Sequence, residues 1–508
     1  MDKKKLYCCF VDYKKAYDSI ERSMLWYKFI KLGINGRFLS VLRSMYSEVK
    51  LCVKHLGNIS DFFNSDLGLF RREITSPICF SLFLNDIEMH LQENINSGIS
   101  IDQISIYLLL FADDAVIVSE TRSELQNLLD SLYTYCRKWN LTVNVEKTKI
   151  MVFKKGGRLS DDEKWFFNNQ EIEVVKSFNY LGVVFTSGGS FVQAANTLAG
   201  KGMRSLHSLF AMTRNMKVPI NIMFNLFDSY VLSVLNYGAE VWGFLNSDNI
   251  EKVQKKFCKW ILNVKQSTNT LALYGELGRF PLYIERHIRM IKYFLKIYTS
   301  KSENCILKAI LQDQIRNIQL NKSIKNWASN ICEILQSAGL NEVWLFPESV
   351  SINVLVPLLR CRLRDIYITN WRTGLEMSSS LNIFREIKIT FERSDYIDVL
   401  ENTKYRNSLA KLRLASHKLN IEIGRHNNVP RHERKCLLCN LNDIEDEFHF
   451  VLKCPVYADI RKELVPRFYY SNTSMYKYIS LMQNNDKKLI RKLAIYCEKA
   501  FKLRDSLM

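Results

Sequence analysis

The chain has 508 residues, a length that suits about three domains. Hydrophobic residues make up 47%, and Lys plus Arg outnumber Asp plus Glu by 71 to 52, for a formal charge of +19. This composition excludes a disordered chain and favours polyanionic partners, chiefly nucleic acid or an anionic membrane surface. No run reaches the ~18 apolar residues of a membrane span, and Leu6 to Val11 is too short for a signal peptide. Thirteen scattered cysteines read as reduced thiols, not a disulfide framework. The expected setting is intracellular, nucleus and cytoplasm, without membrane attachment or secretion.

Leu6-Tyr7-Cys8-Cys9-Phe10-Val11 reads as a strand buried on both faces that delivers Asp12 at its end. Asp18-Ser19-Ile20-Glu21 has the form of a capping box, which predicts a helix to about Leu32 with Gly33 as its stop. Asp18 is then a cap and not a catalyst. Ser76 as N-cap and Pro77 at the first helical position predict another helix. The apolar runs 104–110 and 115–118 flank Phe111-Ala112-Asp113-Asp114, a pattern of a β-hairpin with two carboxylates at its tip, or of a plain Asp turn. Leu125, Leu128, Leu129, Leu132, Cys136 and Trp139 follow helical spacing. A strand from about Leu141 to Phe153 and a polar connector from Lys154 to Asp162 come next.

A carboxylate at the end of a buried strand costs several kcal/mol unless paired or metal-bound. If the first strand lies beside the hairpin, Asp12, Asp113 and Asp114 converge. Two like charges ~4 Å apart repel by about 4 kcal/mol at an effective dielectric of 20, so such a cluster calls for cations. Open sets of hard oxygens suit Mg²⁺, and two such ions can clamp the attacking and leaving oxygens of a phosphoryl transfer.

Phe10-Val11-Asp12-Tyr13-Lys14-Lys15-Ala16-Tyr17-Asp18 and Phe111-Ala112-Asp113-Asp114 resemble the first and third palm motifs of reverse transcriptases, nearest to those of non-LTR (LINE-type) retrotransposons. Ser76-Pro77-Ile78-Cys79-Phe80 through Leu84-Asn85-Asp86-Ile87 is similar to the second motif. Trp139-Asn140-Leu141 through Asn144, with Lys147-Thr148-Lys149, is similar to the fourth. Phe178-Asn179-Tyr180-Leu181-Gly182 resembles the primer-grip hairpin. The resemblance spans about residues 1–300 and implies an RNA-directed DNA polymerase, with an RNA template, a DNA primer or target, and deoxynucleotides as partners. Carried over, Asp12 and Asp113 hold two catalytic Mg²⁺ ions with Asp114 in support. Tyr17 lies under the incoming sugar and excludes a 2′-hydroxyl, or is an ordinary core aromatic. Lys147 is the general acid for leaving pyrophosphate; Lys149 is the competing candidate, and a solvated lysine is the plain account of either. Tyr180 and Gly182 position the primer end, or form a simple hairpin.

Two departures stand out. The family has Arg-Gln-Gly ahead of the second motif, where this chain has Phe70-Arg71-Arg72 after Gly68. Arg72 in the substrate pocket, bulky where glycine lets the backbone approach the nascent pair, implies weakened or absent polymerisation. Only eleven residues precede Asp12, whereas the family carries fingers motifs and a nuclease domain upstream. The expectation is a truncated reading frame, and its alternative function is an inactive remnant that only binds RNA or DNA.

After the Ser187-Gly188-Gly189 turn, helices are expected near 191–215, 219–245 and 249–264, resembling the thumb. Lys252, Lys255, Lys256 and Lys259 either contact a duplex backbone or form a solvated face. Trp242 and Trp260 read as core residues. Residues 265–400 alternate apolar and charged positions at helical spacing and carry no assignable chemistry. Near the C-terminus stands Cys436-x2-Cys439-x9-His449-x4-Cys454. Three thiolates and an imidazole make a closed tetrahedral zinc set, structural and not catalytic; a redox pair or buried free thiols are the other readings. Arg425, Arg431, Arg434 and Lys435, interleaved with His426 and His432, resemble a nucleic-acid-binding knuckle.

The expected fold is an α/β right-hand polymerase palm at 1–188 lacking most of its fingers, followed by helices and a small zinc-binding module. The helical parts are a thumb at 189–300, a connector at 301–400 and a tail at 471–508. The zinc module occupies 401–470.

Overall fold

The computed structural model describes residues 5–70, 73–92, 98–101, 104–160, 162–301, 305–320 and 325–508. The chain divides into two compact units. The first comprises Met1–Ala194 with Ser302–Lys322, the second Ala195–Lys301 with Ser323–Met508.

The first unit is built on a four-stranded antiparallel sheet. Strands β1 (Leu6–Val11), β2 (Leu108–Phe111), β3 (Asp114–Ser119) and β4 (Lys149–Phe153) lie in the order β4-β1-β3-β2. The register sets Val11 against Ala115 and Phe10 against Lys149. Side chains alternate across a strand. Tyr7, Cys9 and Val11 therefore face one way, into a core shared with Phe29, Phe80, Phe83, Leu125, Leu129 and Leu132. Cys8 and Phe10 face the other way, where Val116, Val118 and Met151 meet Phe178, Phe185 and Ile310. Both faces are covered, which is why β1 reads as an unbroken apolar run although its neighbours are antiparallel.

The first core consists mostly of helices α1 (Arg22–Lys31), α2 (Gly36–Ser47), α3 (Thr75–Phe83), α4 (Ile87–Gln92) and α5 (Arg122–Lys138). Helix α1 ends as its sequence predicts: Gly33 takes φ +81°, Gly33 N–H donates to Ile30 O at 3.0 Å and Ile34 N–H to Phe29 O at 2.9 Å, a Schellman stop. Its start differs. The helix begins at Arg22 with Glu21 as N-cap, and residues 15–18 form a turn closed by Asp18 N–H to Lys15 O. The chain must leave the sheet through that turn before it can coil, so Asp18 is no cap. Helix α3 begins two residues early, with Ile74 as N-cap, and leaves Ser76 buried in its first turn. The apolar run 104–110 is interrupted at Tyr107, since Ile104–Ile106 pairs with Ile99–Ile101 instead of extending β2. Of the strand expected over 141–153 only β4 forms. Residues 141–148 turn back along Asp12 instead.

A buried cation ties three helices together. Lys28 of α1 donates to Asp86 at 2.5 Å, to Tyr135 of α5 at 2.6 Å and to the Phe83 carbonyl of α3. Its ammonium also lies 3.8 Å from the Trp139 ring centroid, a cation–π contact. Burial brings its pKa down to about 8, with Asp86 opposing the shift.

The second face of the sheet is covered by a hairpin of β5 (Ser177–Tyr180) and β6 (Val183–Thr186) and by the helix Ile306–Gln319. Phe10 stacks on Phe178 with ring centroids 4.4 Å apart.

The second unit is helical. Its long helices include α6 (Val192–Thr213), α7 (Asp248–Leu262), α8 (Leu282–Tyr298), α9 (Ile352–Met377), α10 (Thr403–Arg413) and α11 (Lys487–Leu507). The segment expected as one helix over 219–245 is broken by a π-turn at Phe227–Val231 and by Gly238 at φ +64°. Buried ion pairs hold its core: Glu276 with Arg413 at 2.5 Å and Glu445 with Arg504 at 2.8 and 2.9 Å. Trp242 is fully buried, but Trp260 is 39% exposed. Trp260 sits on the polar side of α7 and stacks on Phe210 at 3.9 Å, so it is a surface residue and not core. No helix among the described residues is long and apolar enough to cross a membrane.

Candidate functional site

The first candidate lies where β1 ends. Asp12 is pinned by its backbone: its N–H donates to Thr148 Oγ1 at 3.1 Å and its carbonyl accepts from Asn144 N–H at 2.7 Å. The register ends with Val11 against Ala115, and the next residues outward, Asp12 and Asp114, line one cavity together. Asp113 occupies the two-residue hairpin loop between Phe111 and Asp114, with Ala112 at φ +54°. Asp12 and the Asp113–Asp114 pair, about one hundred residues apart in sequence, thus share one end of the sheet.

Their mutual repulsion is visible. The Asp114 pKa is raised by burial and then by Asp113 and Asp12. Tyr17 is raised by burial and then by Asp113 and Asp114, and Tyr180 by burial and then by Asp114. Two cavities meet the group. One, of about 520 Å³, is lined by Asp12, Asp113, Tyr17, Glu73 and Lys147, with Lys14 and Lys15 at its rim. The other, of about 400 Å³, is lined by Asp12, Asp114, Lys147 and Tyr180. Successive residues of a strand point to opposite sides, and the neighbours Asp113 and Asp114 are divided in the same way between the two spaces.

Lys147 lines both cavities. Lys149 lines the second cavity as well, and there it donates to Glu146 O at 2.5 Å and Glu173 at 2.7 Å. Tyr17 packs at a tilt on Phe80, with centroids 5.2 Å apart. Tyr180 leans on Phe10 at 5.4 Å. Leu181 and Gly182, at φ +46° and +83°, form the hairpin turn that ends β5 beside Asp114. The primed turn matches the strand twist and favours glycine. Arg71 and Arg72 lie outside the described residues.

Three supports escaped the sequence reading as site residues: Asn144, Thr148 and Gly68. Gly68 has φ +81°, and a Cβ there would meet Asp18 Cα and O at 2.8 Å and Tyr17 O at 2.9 Å. Its N–H donates to Ile20 O at 2.8 Å, and Leu69 N–H donates to Tyr17 O at 2.7 Å. This close backbone approach seats Tyr17. A lone glycine between Leu67 and Leu69 carries no signal of that in the sequence.

The second candidate is Cys436, Cys439, His449 and Cys454, whose ligand atoms all lie within 4.8 Å of one another. Among the described residues it is the one group of His, Cys, Asp or Glu side chains drawn together so closely. Cys436, His449 and Cys454 are buried. His449 Nε2 lies 3.5 Å from Cys439 Sγ, and its Nδ1 faces Asp443 at 3.7 Å. A carboxylate behind the far nitrogen of a histidine is the usual support of a metal ligand. Burial pushes the Cys454 thiol up to about 12 and lowers the His449 pKa, so thiolates here require a cation. The π-turn His449–Lys453 brings Cys454 back under His449, with Cys454 N–H donating to His449 O at 2.8 Å.

Of the cations expected to contact nucleic acid nearby, Arg434 is structural. Its guanidinium donates to Val429 O at 2.8 Å and Ile421 O at 3.1 Å. Arg425 pairs with Glu422. On α7, Lys256 bonds His207 at 2.8 Å and Lys259 bonds Gln266 O at 2.5 Å.

Residues 1–185 match the family of reverse transcriptases (RNA-dependent DNA polymerases). The chain is 22% identical over 253 residues to the RNA-directed DNA polymerase from mobile element jockey of Drosophila melanogaster, covering 48% of this chain and 27% of that protein. It is 28% identical over 209 residues to the Pol polyprotein from the type-1 retrotransposable element R2 of Nasonia vitripennis, covering 39% of this chain and 20% of that protein. It thus spans about a quarter of the length of these relatives. Telomerase from Candida albicans overlays with a TM-score of 0.30 at 14% identity, over 66% of this chain and 51% of that one, too slight a likeness to bear on the fold.

Proposed function

We propose, from the premise that residues 1–185 are a reverse transcriptase region, that the acidic cleft carries out RNA-directed DNA synthesis for a non-LTR retrotransposon. The observation that carries this reading is the meeting of Asp12, Asp113 and Asp114 beside two open cavities, with a raised Asp114 pKa. Crowded, half-exposed hard oxygens with free positions around them fit Mg²⁺. Asp12 and Asp113 would hold two such ions, with Asp114 in support; when bound, they stabilise charge on the attacking and leaving oxygens. The primer 3′-hydroxyl attacks the α-phosphate of a deoxynucleotide, and pyrophosphate leaves.

The protein's own groups have separate tasks. Lys147, which faces both cavities, donates a proton to the leaving pyrophosphate. Tyr17, seated by Gly68 and Phe80, lies under the sugar and selects deoxynucleotides. Tyr180, held on Phe10 with Gly182 in the turn behind it, positions the primer end. In this reading the first unit acts as palm and α6 and α7 as thumb. In the second unit, Cys436, Cys439, His449 and Cys454 would hold one structural Zn²⁺.

The test is primer extension on an RNA template by the full chain, with Mg²⁺ or with chelator, beside Asp113→Asn. Magnesium-dependent extension lost in the variant supports the reading. Template binding with no extension under any condition favours instead a chain that only binds nucleic acid, as the Phe70-Arg71-Arg72 departure would allow.

A further inference from the structure

A cavity of about 620 Å³ opens within the second unit. Its walls are the end of α7, the outer side of α10, the loop at His417 and the last turns of α11. The lining is strongly basic, and part of that charge is already committed. Lys265 donates to His417 O at 2.6 Å, Lys502 pairs with Glu498 at 2.5 Å, and Arg504 pairs with Glu445 at 2.8 Å. Lys404, Lys411 and Lys418 line the same space, and their ammonium groups have no hydrogen-bond or ion-pair partner among the described residues.

Beside them stands an amide whose oxygen the fold leaves without a donor. Asn407 is 9% exposed and lines the cavity, and its buried Oδ1 accepts no hydrogen bond. A buried acceptor without a donor costs about 1–3 kcal/mol, a cost that a ligand N–H would offset. A ligand that is anionic at the lysines and carries N–H groups toward Asn407 suits this wall. Phosphates and a base edge meet both needs. The base must be unpaired, because pairing hides the edge that a closed pocket can reach. A volume of this size is in the range of small-ligand sites, about 300–1,000 Å³.

We propose that this cavity holds unpaired nucleotides of a nucleic-acid strand, with phosphates on Lys404, Lys411 and Lys418 and a base edge donating to Asn407 Oδ1. The site goes beyond the polymerase reading and shares no residue with the acidic cleft.

The experiment is binding of a short, fluorescently labelled single-stranded RNA of mixed sequence to the full chain across a KCl series, without Mg²⁺ or nucleotides. Omitting both keeps the result independent of whether the chain polymerises. The triple variant Lys404→Gln/Lys411→Gln/Lys418→Gln is expected to bind about tenfold more weakly at low salt. Its salt slope should fall by about 2, because each phosphate neutralised on a single strand contributes roughly 0.7. A charge-matched triple, Lys487→Gln/Lys488→Gln/Lys492→Gln on the exposed start of α11, should change the slope little. Equal losses in the two triples, or an unchanged slope in the first, overturn the proposal. Asn407→Ser should level the preference among homopolymers while keeping the salt slope; an undiminished preference removes the base contact. Should that variant melt early, near-isosteric Asn407→Asp is read instead, with weaker binding expected and wild-type binding counting against the site. Competition by poly-glutamate as effective as by RNA would also overturn it.

Discussion

The two candidate sites make opposite use of burial. At the end of β1, three carboxylates sit beside open cavities, and Thr148 and Asn144 pin the backbone of Asp12. At Cys436, Cys439, His449 and Cys454 the ligand atoms close on each other and three of the four residues are buried. Open positions let substrate reach a metal; a full ligand set excludes it. The first arrangement suits turnover and contributes little to stability, while the second suits stability and leaves nothing free for substrate. Removing a ligand should therefore show up in different measurements at the two sites.

Asp113→Asn is the sharpest way to break the comparison. Loss of a ligand worth several kcal/mol to the transition state should lower primer extension by about 10³-fold, with the melting temperature little changed. An Asp113→Asn chain that extends primers normally would end the assignment. Cys439→Ser should do the reverse, reducing bound zinc well below one per chain and making the melting temperature insensitive to chelator. Zinc content equal to wild type would reassign the cluster as free thiols.

The surroundings of the second site sharpen the same point. Glu445 and Arg504 are both buried, and the pair joins the chain ahead of His449 to α11. Arg504→Met should cost about 3–5 kcal/mol, since it strands a buried carboxylate, and urea unfolding measures it. A cost below about 1 kcal/mol, the range of exposed pairs, would mean the carboxylate is solvated. Gly68→Ala tests the support of the first site. Its Cβ would press on backbone at 2.8 Å from a φ of +81°, and the expected loss is about 1–3 kcal/mol of stability. Discrimination against ribonucleotides should relax with it as Tyr17 shifts.

The smallest effect concerns Lys28. Its pKa falls from 10.5 unfolded to about 8 in the fold. Between those values the unfolded chain binds more protons, so this group makes stability rise with pH, by less than about 1.4 kcal/mol per unit. Below the lower value the contribution is flat. Lys28→Met should remove that rise in melting temperature, and an identical pH profile would show that Asp86 keeps the lysine charged throughout.

Much of this was legible in the residue order. The apolar run before Asp12, the hairpin around Asp113 and Asp114, the helical spacing of Leu125 to Cys136 and the Cys/His spacing each depend on neighbours close in sequence. Helix starts were less legible. Asp18 and Ser76 have good capping chemistry, yet packing placed the first turns elsewhere, because a cap worth about 1 kcal/mol yields to the burial of Phe29 or Phe80. Trp260 failed for a related reason: apolar character does not say which side of α7 meets the core. Gly68 and Asn407 gave no local sign, since what makes each matter is a partner, or a missing one, supplied by distant chain.

By itself the sequence determined the chemistry available: acids for hard cations, thiols and an imidazole for a softer one, and a surplus of lysine for phosphate. Only the tertiary structure decided which of these groups meet. Long-range pairing of Val11 with Ala115 brings Asp12 and Asp114 to one cavity, a glycine-permitted backbone contact seats Tyr17, and four separate segments wall the lysine cavity. The reason is physical: a residue's charge and ligand type belong to it alone, whereas its distance to a partner far along the chain is set by how the intervening segments pack.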